Sequence, residues 1–239
     1  MKPEILIFPD AAAAIEAHAR QLVGQIAGLA ATRGRVRLVL SGGSTPRPLY
    51  ERLAREDLAR AVPWPQVDVL LGDERHVPAD HEHSNQRQAR ETLLDHLSEA
   101  PARFIAVDAK REHMDAARDF ARRLGTEPVD VVLLGIGDDG HTASLFPGGA
   151  GFGADDPVAL ATHAPTEPRP RISLSLAALN RASLAIYLVL GAKKSAILEA
   201  VLADYGRPLG DALLPAARVR PSNGRVQIYT DRAAWGRRP

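Results

Sequence analysis

The residues of this chain whose types and spacing best suit chemistry lie in residues 129–148, VDVVLLGIGDDGHTASLFPG. The segment starts with an apolar run rich in β-branched residues, which predicts a strand buried on both faces of a parallel sheet. Glycines follow, with Asp138, Asp139 and His141 packed around them. This turn would carry two carboxylates and an imidazole beyond the carboxyl end of the strand, where ligands bind in open α/β sheets, so we predict a functional role for His141 and its neighbouring aspartates.

The glycines of this segment also match G-x-G-x-x-G, the dinucleotide-binding fingerprint. That motif must open a full helix whose N-terminus holds a pyrophosphate, whereas Pro147 and Gly148 follow here almost at once. The two aspartates inside the turn would also repel a diphosphate. A second alternative is that His141 is an ordinary polar turn residue. We favour a functional loop, because functional residues concentrate in loops that a rigid scaffold positions.

A second glycine-rich segment, LSGGSTP, follows the predicted strand at residues 36–40. It predicts a helix start with Ser44 or Thr45 as the N-cap and Pro46 in the first turn. Free N–H groups at such a start favour an anion, so Gly42, Gly43, Ser44 and Thr45 are predicted to contact an anion or a sugar. A tight turn that needs glycine only for its backbone is the alternative. The segment is not a Walker A loop, because no Gly-Lys-Ser/Thr follows.

A charged cluster, GDERHVP, follows a further predicted strand at residues 67–71. In this cluster Arg75 is able to clamp a phosphate or a carboxylate in fork geometry. The alternative is a solvated loop with an internal ion pair between its charged side chains. His76, His81 and His83 lie close together and suggest zinc, but their spacing fits no common zinc pattern and no cysteine assists them. We therefore predict no metal site.

Two more basic residues lie where an anion would explain them. Arg171 starts the segment RISLSL, which alternates with period two as a half-buried strand does. Lys194 falls in the first turn of a predicted helix, where the helix dipole disfavours a cation. That mismatch predicts an anion shared between the lysine and the helix N-terminus, and a lysine pointing into solvent is the alternative.

The elements that position these residues alternate between strands and helices along the chain. This order predicts a single α/β domain over residues 1–239, with a mostly parallel sheet flanked by helices. In such sheets ligands bind beyond the carboxyl ends of the strands, which is where these segments lie. Strands are predicted at residues 5–8, 36–40, 67–71, 103–107, 129–134, 158–162, 171–176, 184–190 and 226–230. Helices are predicted at 11–32, after Pro46, from Ser84 or Asn85 to 97, at 116–124 and after Lys194, and residues 208–221 are expected to be irregular.

The composition excludes several classes of function. The chain has 239 residues, with 30 basic and 29 acidic side chains and a net charge of +1, which argues against a nucleic-acid binder. It has no cysteine, so disulfides and thiolate chemistry are excluded. Its apolar runs are too short for a signal peptide or a membrane span. We therefore expect a cytoplasmic protein, and its size and class permit a monomer.

These motifs together resemble the 6-phosphogluconolactonase family of sugar-lactone hydrolases, over nearly the whole chain. The block from Gly135 to Pro147 is the most specific of them. The resemblance implies a modified doubly wound α/β sheet, like that of glucosamine-6-phosphate deaminases and ribose-5-phosphate isomerases. The motifs that carry it are Ser41-Gly42-Gly43-Ser44-Thr45-Pro46, Gly72-Asp73-Glu74-Arg75, Ser84-Asn85, residues 135–147, Arg171-Ile172-Ser173-Leu174, and Gly191 with Lys194.

The resemblance implies hydrolysis of 6-phospho-D-glucono-1,5-lactone to 6-phosphogluconate, in the oxidative branch of the pentose phosphate pathway, without a metal or another cofactor. A lactone is an activated ester, so a positioned water needs only a general base, for which His141 is the natural candidate, since an imidazole accepts a proton near neutral pH. Asp139 or Asp138 would orient His141 or the water, and the sequence leaves that choice open. Backbone N–H groups of residues 42–44, or Arg75, would stabilise the oxyanion. Asp73 would hold Arg75 or a sugar hydroxyl. The phosphate ligands would be Arg171 and Lys194, with Arg47 as a further substrate contact.

One rival mechanism and two rival functions are weighed against this one. A covalent mechanism would use Ser44 or Ser144, but neither lies in a G-x-S-x-G elbow. Deaminases of this fold carry a glutamate a few residues beyond the equivalent histidine, and residues 142–149 contain no carboxylate. A sugar-phosphate sensor would dispense with His141 and its aspartates, and we expect no attached regulatory segment in a chain of this length. The lactonase is therefore the predicted function.

Overall fold

Short apolar runs form the central sheet of this protein, whose computed structural model describes residues 2–210 and 213–236. Seven strands pair in parallel in the order β1-β10-β9-β6-β2-β3-β5, and the three others form a second, antiparallel sheet in the order β4-β8-β7. The mostly parallel α/β prediction is confirmed. The strands are β1 (Glu4–Phe8), β2 (Val36–Leu40), β3 (Val67–Leu71), β4 (Asp73–Arg75), β5 (Arg103–Ile105), β6 (Val131–Leu134), β7 (Ala159–His163), β8 (Pro170–Leu174), β9 (Leu184–Val189) and β10 (Arg225–Asp231).

Helices cover the parallel sheet and connect its strands. The longest, α1, begins after Asp10, whose carboxylate accepts the N–H of Ala13 at 2.8 Å, and ends at Gly34 with φ +72°. These are the cap and the stop that the sequence predicts. The helices are α1 (Ala11–Arg33), α2 (Arg47–Leu53), α3 (Glu56–Ala59), α4 (Asn85–Thr92), α5 (His113–Leu124), α6 (Leu176–Leu179), α7 (Ser195–Tyr205), α8 (Pro215–Arg218) and α9 (Arg232–Trp235), with 3₁₀ turns at Trp64–Gln66, Leu94–His96 and Ala192–Lys194.

The inner strands β2, β3, β6 and β9 are buried along their whole length. Continuous burial is expected for parallel strands with helices on both faces, and it explains why their sequences do not alternate. Because all four run in the same direction, the loops that leave their carboxyl ends meet at one edge. Three of these loops contain the glycine-rich and charged segments identified in the sequence, and the fourth leads to Lys194.

The antiparallel sheet differs from the prediction. The sequence predicts a charged cluster and no strand at residues 73–75, but they form β4, which pairs with β8. Gly72 alone separates β4 from β3, and its carbonyl accepts the N–H of Leu174 at 2.9 Å, so the chain passes directly from one sheet to the other. β8 is also more buried than a half-buried strand, since α5 packs against β7 and β8.

Local predictions at two helix starts and in one loop also need correction. Pro46, rather than Ser44 or Thr45, is the N-cap of α2, and it forms no side-chain cap. Lys194 is the N-cap of α7 and ends a 3₁₀ turn, so it precedes the first helical turn. The expected irregular segment 208–221 contains α8, and its residues 211 and 212 lie outside the described residues. None of the helices in the described part of the chain combines the length and apolar character needed to cross a bilayer.

Candidate active site

A cavity of about 690 Å³ opens at the carboxyl edge of the parallel sheet. It is formed by the loops that follow β2, β3, β6 and β9, together with the turn between β7 and β8. The structure therefore brings together predicted site residues that are more than 150 positions apart in the sequence. Those that line the cavity are Gly42, Gly43, Ser44, Thr45, Asp73, Arg75, Asp139, His141, Arg171 and Lys194.

The imidazole of His141 is oriented by Asp139. The Asp139 carboxylate accepts the backbone N–H of His141 at 3.0 Å and lies 2.5 Å from its Nδ1. A carboxylate accepts hydrogen bonds, so Nδ1 carries the proton and Nε2 keeps a free lone pair. A side chain on Gly137 would collide with the His141 ring, so glycine is required there. This arrangement suits a general base whose tautomer is fixed by the acid beside it.

Asp138 is occupied by a different partner. Lys194 Nζ donates to Asp138 Oδ1 at 2.6 Å and to the carbonyl of Ile136 at 2.8 Å. The hydrogen bond from Lys194 lowers the pKa of the Asp138 carboxyl. Of the two aspartates, Asp139 is thus the one on the histidine, while Asp138 and Lys194 tie the same loop to the start of α7.

Arg75 and Arg171 form an opposed pair of cations. They are directly opposite each other in the β4–β8 ladder, and Arg171 is only 8% exposed. Burial, and then the nearby Arg75, lower the pKa of Arg171. The Nε atoms of both side chains are buried without a partner, and among the described residues no carboxylate lies within ion-pairing distance of either guanidinium. Like charges opposite each other destabilise a ladder, and a pair of guanidiniums of this kind is able to bind an anion.

Asp73 does not hold Arg75, which was one of its two predicted roles. Its carboxylate accepts the hydroxyl of Ser144 at 2.6 Å and the amide Nδ2 of Asn85 at 3.3 Å. The Arg75 guanidinium instead donates to the carbonyl of His83 at 2.8 Å. Asp73 therefore faces the cavity as a carboxylate held by neutral donors.

The loop after β2 is held in place by buried polar contacts. The Tyr50 hydroxyl accepts the N–H of Ser41 at 2.9 Å and donates to its carbonyl at 2.7 Å. Gly43 has φ +100°, a conformation that glycine adopts without strain. A side chain on Gly42 would collide with Asn85, so the loop closes tightly against α4.

Arg47 is not brought to the other predicted residues. It does not line the cavity, and its guanidinium lies 3.6 Å from Glu51 and 3.9 Å from Glu91. The helix α2 that carries it points this side chain toward carboxylates of the chain itself. A substrate contact for Arg47 finds no support in this geometry.

The histidines of the predicted cluster separate. His81 and His83 lie against each other at 5.3 Å between ring centroids, whereas His76 lies 5.2 Å from His113, which in turn is 5.1 Å from His163. The Nε2 atoms of His76 and His113 contact the carbonyls of Arg111 and Arg171. Within residues 2–210 and 213–236, no group of three or more His, Asp or Glu side chains is arranged to hold a metal ion.

Two residues of the site are given no role by the sequence. Asn85 is only part of a motif, and Ser144 is considered only as a nucleophile and set aside, yet both contact the Asp73 carboxylate. Their signal was weak, because small polar residues are common in loops and at helix starts. Only the fold shows that residues 73, 85 and 144 meet.

Comparison with known proteins identifies close relatives along nearly the entire chain. A family model described as glucosamine-6-phosphate isomerases/6-phosphogluconolactonase matches residues 9–228. A 6-phosphogluconolactonase of Synechocystis sp. is 34% identical over 100% of both chains. One from Rattus norvegicus is 38% identical over 90% of this chain and 86% of its own.

Solved structures agree with this result. A 6-phosphogluconolactonase from Shewanella baltica has a TM-score of 0.84 and 29% identity, over 96% of this chain and 98% of its own. The 6-phosphogluconolactonase of Trypanosoma brucei has a TM-score of 0.82 and 28% identity, over 98% of this chain and 97% of its own. The α/β architecture described above is the fold of these structures.

Proposed function

The chain belongs to the glucosamine-6-phosphate isomerase/6-phosphogluconolactonase family, and we propose that it hydrolyses 6-phospho-D-glucono-1,5-lactone to 6-phosphogluconate with His141 as the general base. The relatives compared above are named as lactonases, so an enzyme that hydrolyses a lactone ester is the activity they support. One observation carries the proposal. A single cavity contains both an oriented imidazole and an opposed pair of guanidiniums without carboxylate partners.

The first chemical step is removal of a proton from water. His141 Nε2 takes this proton while Asp139 stabilises the imidazolium that forms. The water oxygen bonds to the lactone carbonyl carbon, and the carbonyl oxygen becomes an oxyanion. The ring C–O bond then breaks, and the departing oxygen takes the proton back from His141. The products are a carboxylic acid and a free hydroxyl, so atoms and charge balance without a cofactor.

The oxyanion needs donors already in place. The loop of Gly42, Gly43 and Ser44 lines the same cavity as His141, and its backbone N–H groups supply donors with no cost of reorganisation. Gly43 has φ +100°, and the Tyr50 hydroxyl holds the backbone of Ser41 at the start of this loop. This part of the proposal keeps the role expected from the sequence.

The phosphate is assigned to Arg75 and Arg171. Two planar guanidiniums on neighbouring strands match the oxygens of a phosphate, and the anion would relieve their mutual repulsion. Lys194 lines the same cavity, so its predicted phosphate contact stays a prediction. A phosphate that reached Lys194 would compete with Asp138 for the ammonium group.

The proposed function also includes an oligomeric state, a class of partner and a cellular compartment. We propose a single domain, and the size and class of the chain permit a monomer. A net charge of +1 supports a small-molecule partner rather than a nucleic acid. We place the reaction in the cytoplasm because a phosphorylated sugar lactone is an anion that does not cross bilayers unaided.

The decisive experiment mixes purified, EDTA-treated protein with fresh 6-phosphogluconolactone and follows the release of acid. The spontaneous rate is subtracted, and unphosphorylated gluconolactone serves as the control substrate. We expect fast hydrolysis of the phosphorylated lactone alone. Absence of acceleration, together with deamination of glucosamine 6-phosphate, would replace this function by that of the deaminases. Activity that EDTA removes and a metal restores would contradict the metal-free mechanism.

His141→Ala tests the assigned base within this assay. We expect kcat to fall about 1,000-fold, since a positioned general base contributes roughly that much. KM and the binding of inorganic phosphate should change little. His96→Ala is the matched control, because His96 is exposed and its imidazole forms a hydrogen bond with the carbonyl of Glu91, away from the cavity. Turnover that survives in His141→Ala, with phosphate affinity lost, would contradict the role given to this residue.

A further inference from the structure

Ser144 is buried at a junction between the His141 loop and the antiparallel sheet. It is 1% exposed, and its three polar groups are all partnered. Its hydroxyl donates to Asp73 Oδ2 at 2.6 Å, its N–H donates to the Ser173 hydroxyl at 3.1 Å, and its carbonyl accepts from Thr162 at 2.9 Å. These partners lie on β4, β8 and β7. Ser144 therefore fixes the loop that carries the base to the sheet that carries Arg75 and Arg171.

Asn85 holds the same carboxylate from the other side. Its Nδ2 donates to Asp73 Oδ1 at 3.3 Å and to the Asp73 carbonyl at 2.9 Å. Asn85 is itself fixed, because its backbone N–H donates to the buried carboxylate of Glu74 at 2.7 Å and its side chain closes against Gly42. Each oxygen of the Asp73 carboxylate thus receives one hydrogen bond from a neutral donor.

This arrangement leaves Asp73 with unused acceptor positions in the cavity. An ionised carboxylate offers about four acceptor sites, of which two are occupied here. Asp73 is 8% exposed and lines the cavity, and neither Arg75 nor Arg171 forms an ion pair with it. The open positions suit hydroxyl donors, and a sugar lactone carries these around its ring.

We propose that Ser144 and Asn85 are positioning residues that aim Asp73 at a ring hydroxyl of the lactone, so that this trio selects hydroxylated substrates. The inference rests on the proposed lactonase function and adds a determinant of its specificity. A buried acceptor built for a hydroxyl penalises an analogue that lacks the hydroxyl, because the polar group is then left unpaired. The selectivity is lost when the carboxylate is no longer held.

The same contacts argue against Ser144 as a nucleophile. Its hydroxyl is committed to Asp73, it is almost fully buried, and it forms no hydrogen bond with His141 in the structure. A nucleophilic serine must present its oxygen to the carbonyl carbon with a base beside it. Loss of the serine should therefore weaken the reaction rather than abolish it.

The test measures kcat/KM of Ser144→Ala on 6-phosphogluconolactone and on a panel of analogues in which one ring hydroxyl at a time is replaced by hydrogen. We expect a fall of about tenfold on the full substrate, the size of one hydrogen bond to a charged acceptor. On the analogue that lacks the contacted hydroxyl, the variant should match the wild type within about twofold. Ser175→Ala is the control, because Ser175 is equally buried and only caps α6.

Each other outcome has a distinct meaning. An equal loss on every member of the panel would assign Ser144 a purely structural role and overturn the inference. Complete loss on all substrates, with an acyl-enzyme trapped in the wild type by rapid quenching and mass spectrometry, would make Ser144 a nucleophile and also overturn it. If Ser144→Ala fails to fold, Asn85→Ala is measured on the same panel with the same expectation. A wild type inactive on every phosphorylated lactone would contradict the proposed function, whereas an active wild type whose selectivity neither variant changes would contradict this inference alone.

Discussion

Arginines lie at both ends of the parallel sheet, and the two groups differ in whether the chain supplies them with carboxylate partners. At the amino ends of the strands, Asp68 accepts hydrogen bonds from Arg35 and Arg103, while Asp130 accepts from Arg33 and from the backbone of Arg37. At the carboxyl ends, Arg75 and Arg171 have no such partner among the described residues. In the first group, the guanidiniums of Arg33, Arg35 and Arg103 each have a carboxylate partner from the chain itself.

The difference separates stability from function. Buried carboxylates beside arginines contribute to folding because the charges and hydrogen bonds are matched within the chain. An opposed pair without a carboxylate costs stability, and a fold keeps such a pair where a ligand completes it. Changes at the amino ends should therefore alter folding, and changes at the cavity should alter binding.

The largest expected effect is at the amino ends. Asp68→Asn should lower the free energy of unfolding by about 3 kcal/mol, because a fully buried carboxylate loses charged hydrogen bonds from Arg35 and Arg103. KM for the lactone should not change, since this site lies at the opposite edge of the sheet. Denaturant unfolding and steady-state kinetics on the same preparation measure both. An altered KM with unchanged stability would mean that Asp68 serves binding rather than folding, which contradicts this prediction.

The pH dependence of unfolding tests the contribution of Asp68 to stability in a second way. Burial alone would raise the pKa of Asp68, but hydrogen bonds from Arg103 and Arg35 outweigh it and hold that pKa at about 2. Since this lies below the ordinary value of 3.8, the carboxylate contributes stability that is fully present above about pH 4 and is lost as the pH falls toward 2. Asp68→Asn should flatten the acid dependence in that window.

A somewhat smaller effect is expected at the cavity. Arg171→Gln should raise KM for the phosphorylated lactone about 30-fold, or about 2 kcal/mol, with little change in kcat, because one charged arm of the phosphate site is lost. The variant should be at least as stable as the wild type, since it also removes the repulsion from Arg75. Arg103→Gln is the matched control and should leave KM unchanged. A destabilised Arg171→Gln with normal KM would make the opposed pair structural.

The sequence predicts the position of His141 better than the opposition of Arg75 and Arg171. Apolar runs and glycines place His141 beyond a strand end without knowledge of the fold, because all the signals are local. Arg75 and Arg171 are 96 positions apart, and their opposition depends on the pairing of β4 with β8. β4 is a three-residue charged strand with no alternation, so no periodicity reveals it.

The sequence also does not predict which side chains contact each other. The choice between Asp138 and Asp139 depends on where Lys194 lies, and Lys194 comes from a loop after β9. The helical cap expected at Ser44 or Thr45 was wrong because the chain turns once more before α2 begins. In each case the sequence shows which residue types are present, and packing between distant elements decides which of them meet.

The smallest expected effect tests whether the pair of Arg75 and Arg171 binds an anion. Inorganic phosphate at ten times its dissociation constant should stabilise the wild type by about 1.4 kcal/mol, because it binds only the folded pair of guanidiniums. Arg103→Gln should keep this stabilisation and Arg171→Gln should lose it, both followed by thermal unfolding at constant ionic strength, with chloride as the control anion. Equal stabilisation of both variants would mean that phosphate acts on the surface charge as a whole. Stabilisation lost only in Arg171→Gln would mean that the opposed pair binds the anion, and that the amino-end arginines, already paired with Asp68 and Asp130, do not.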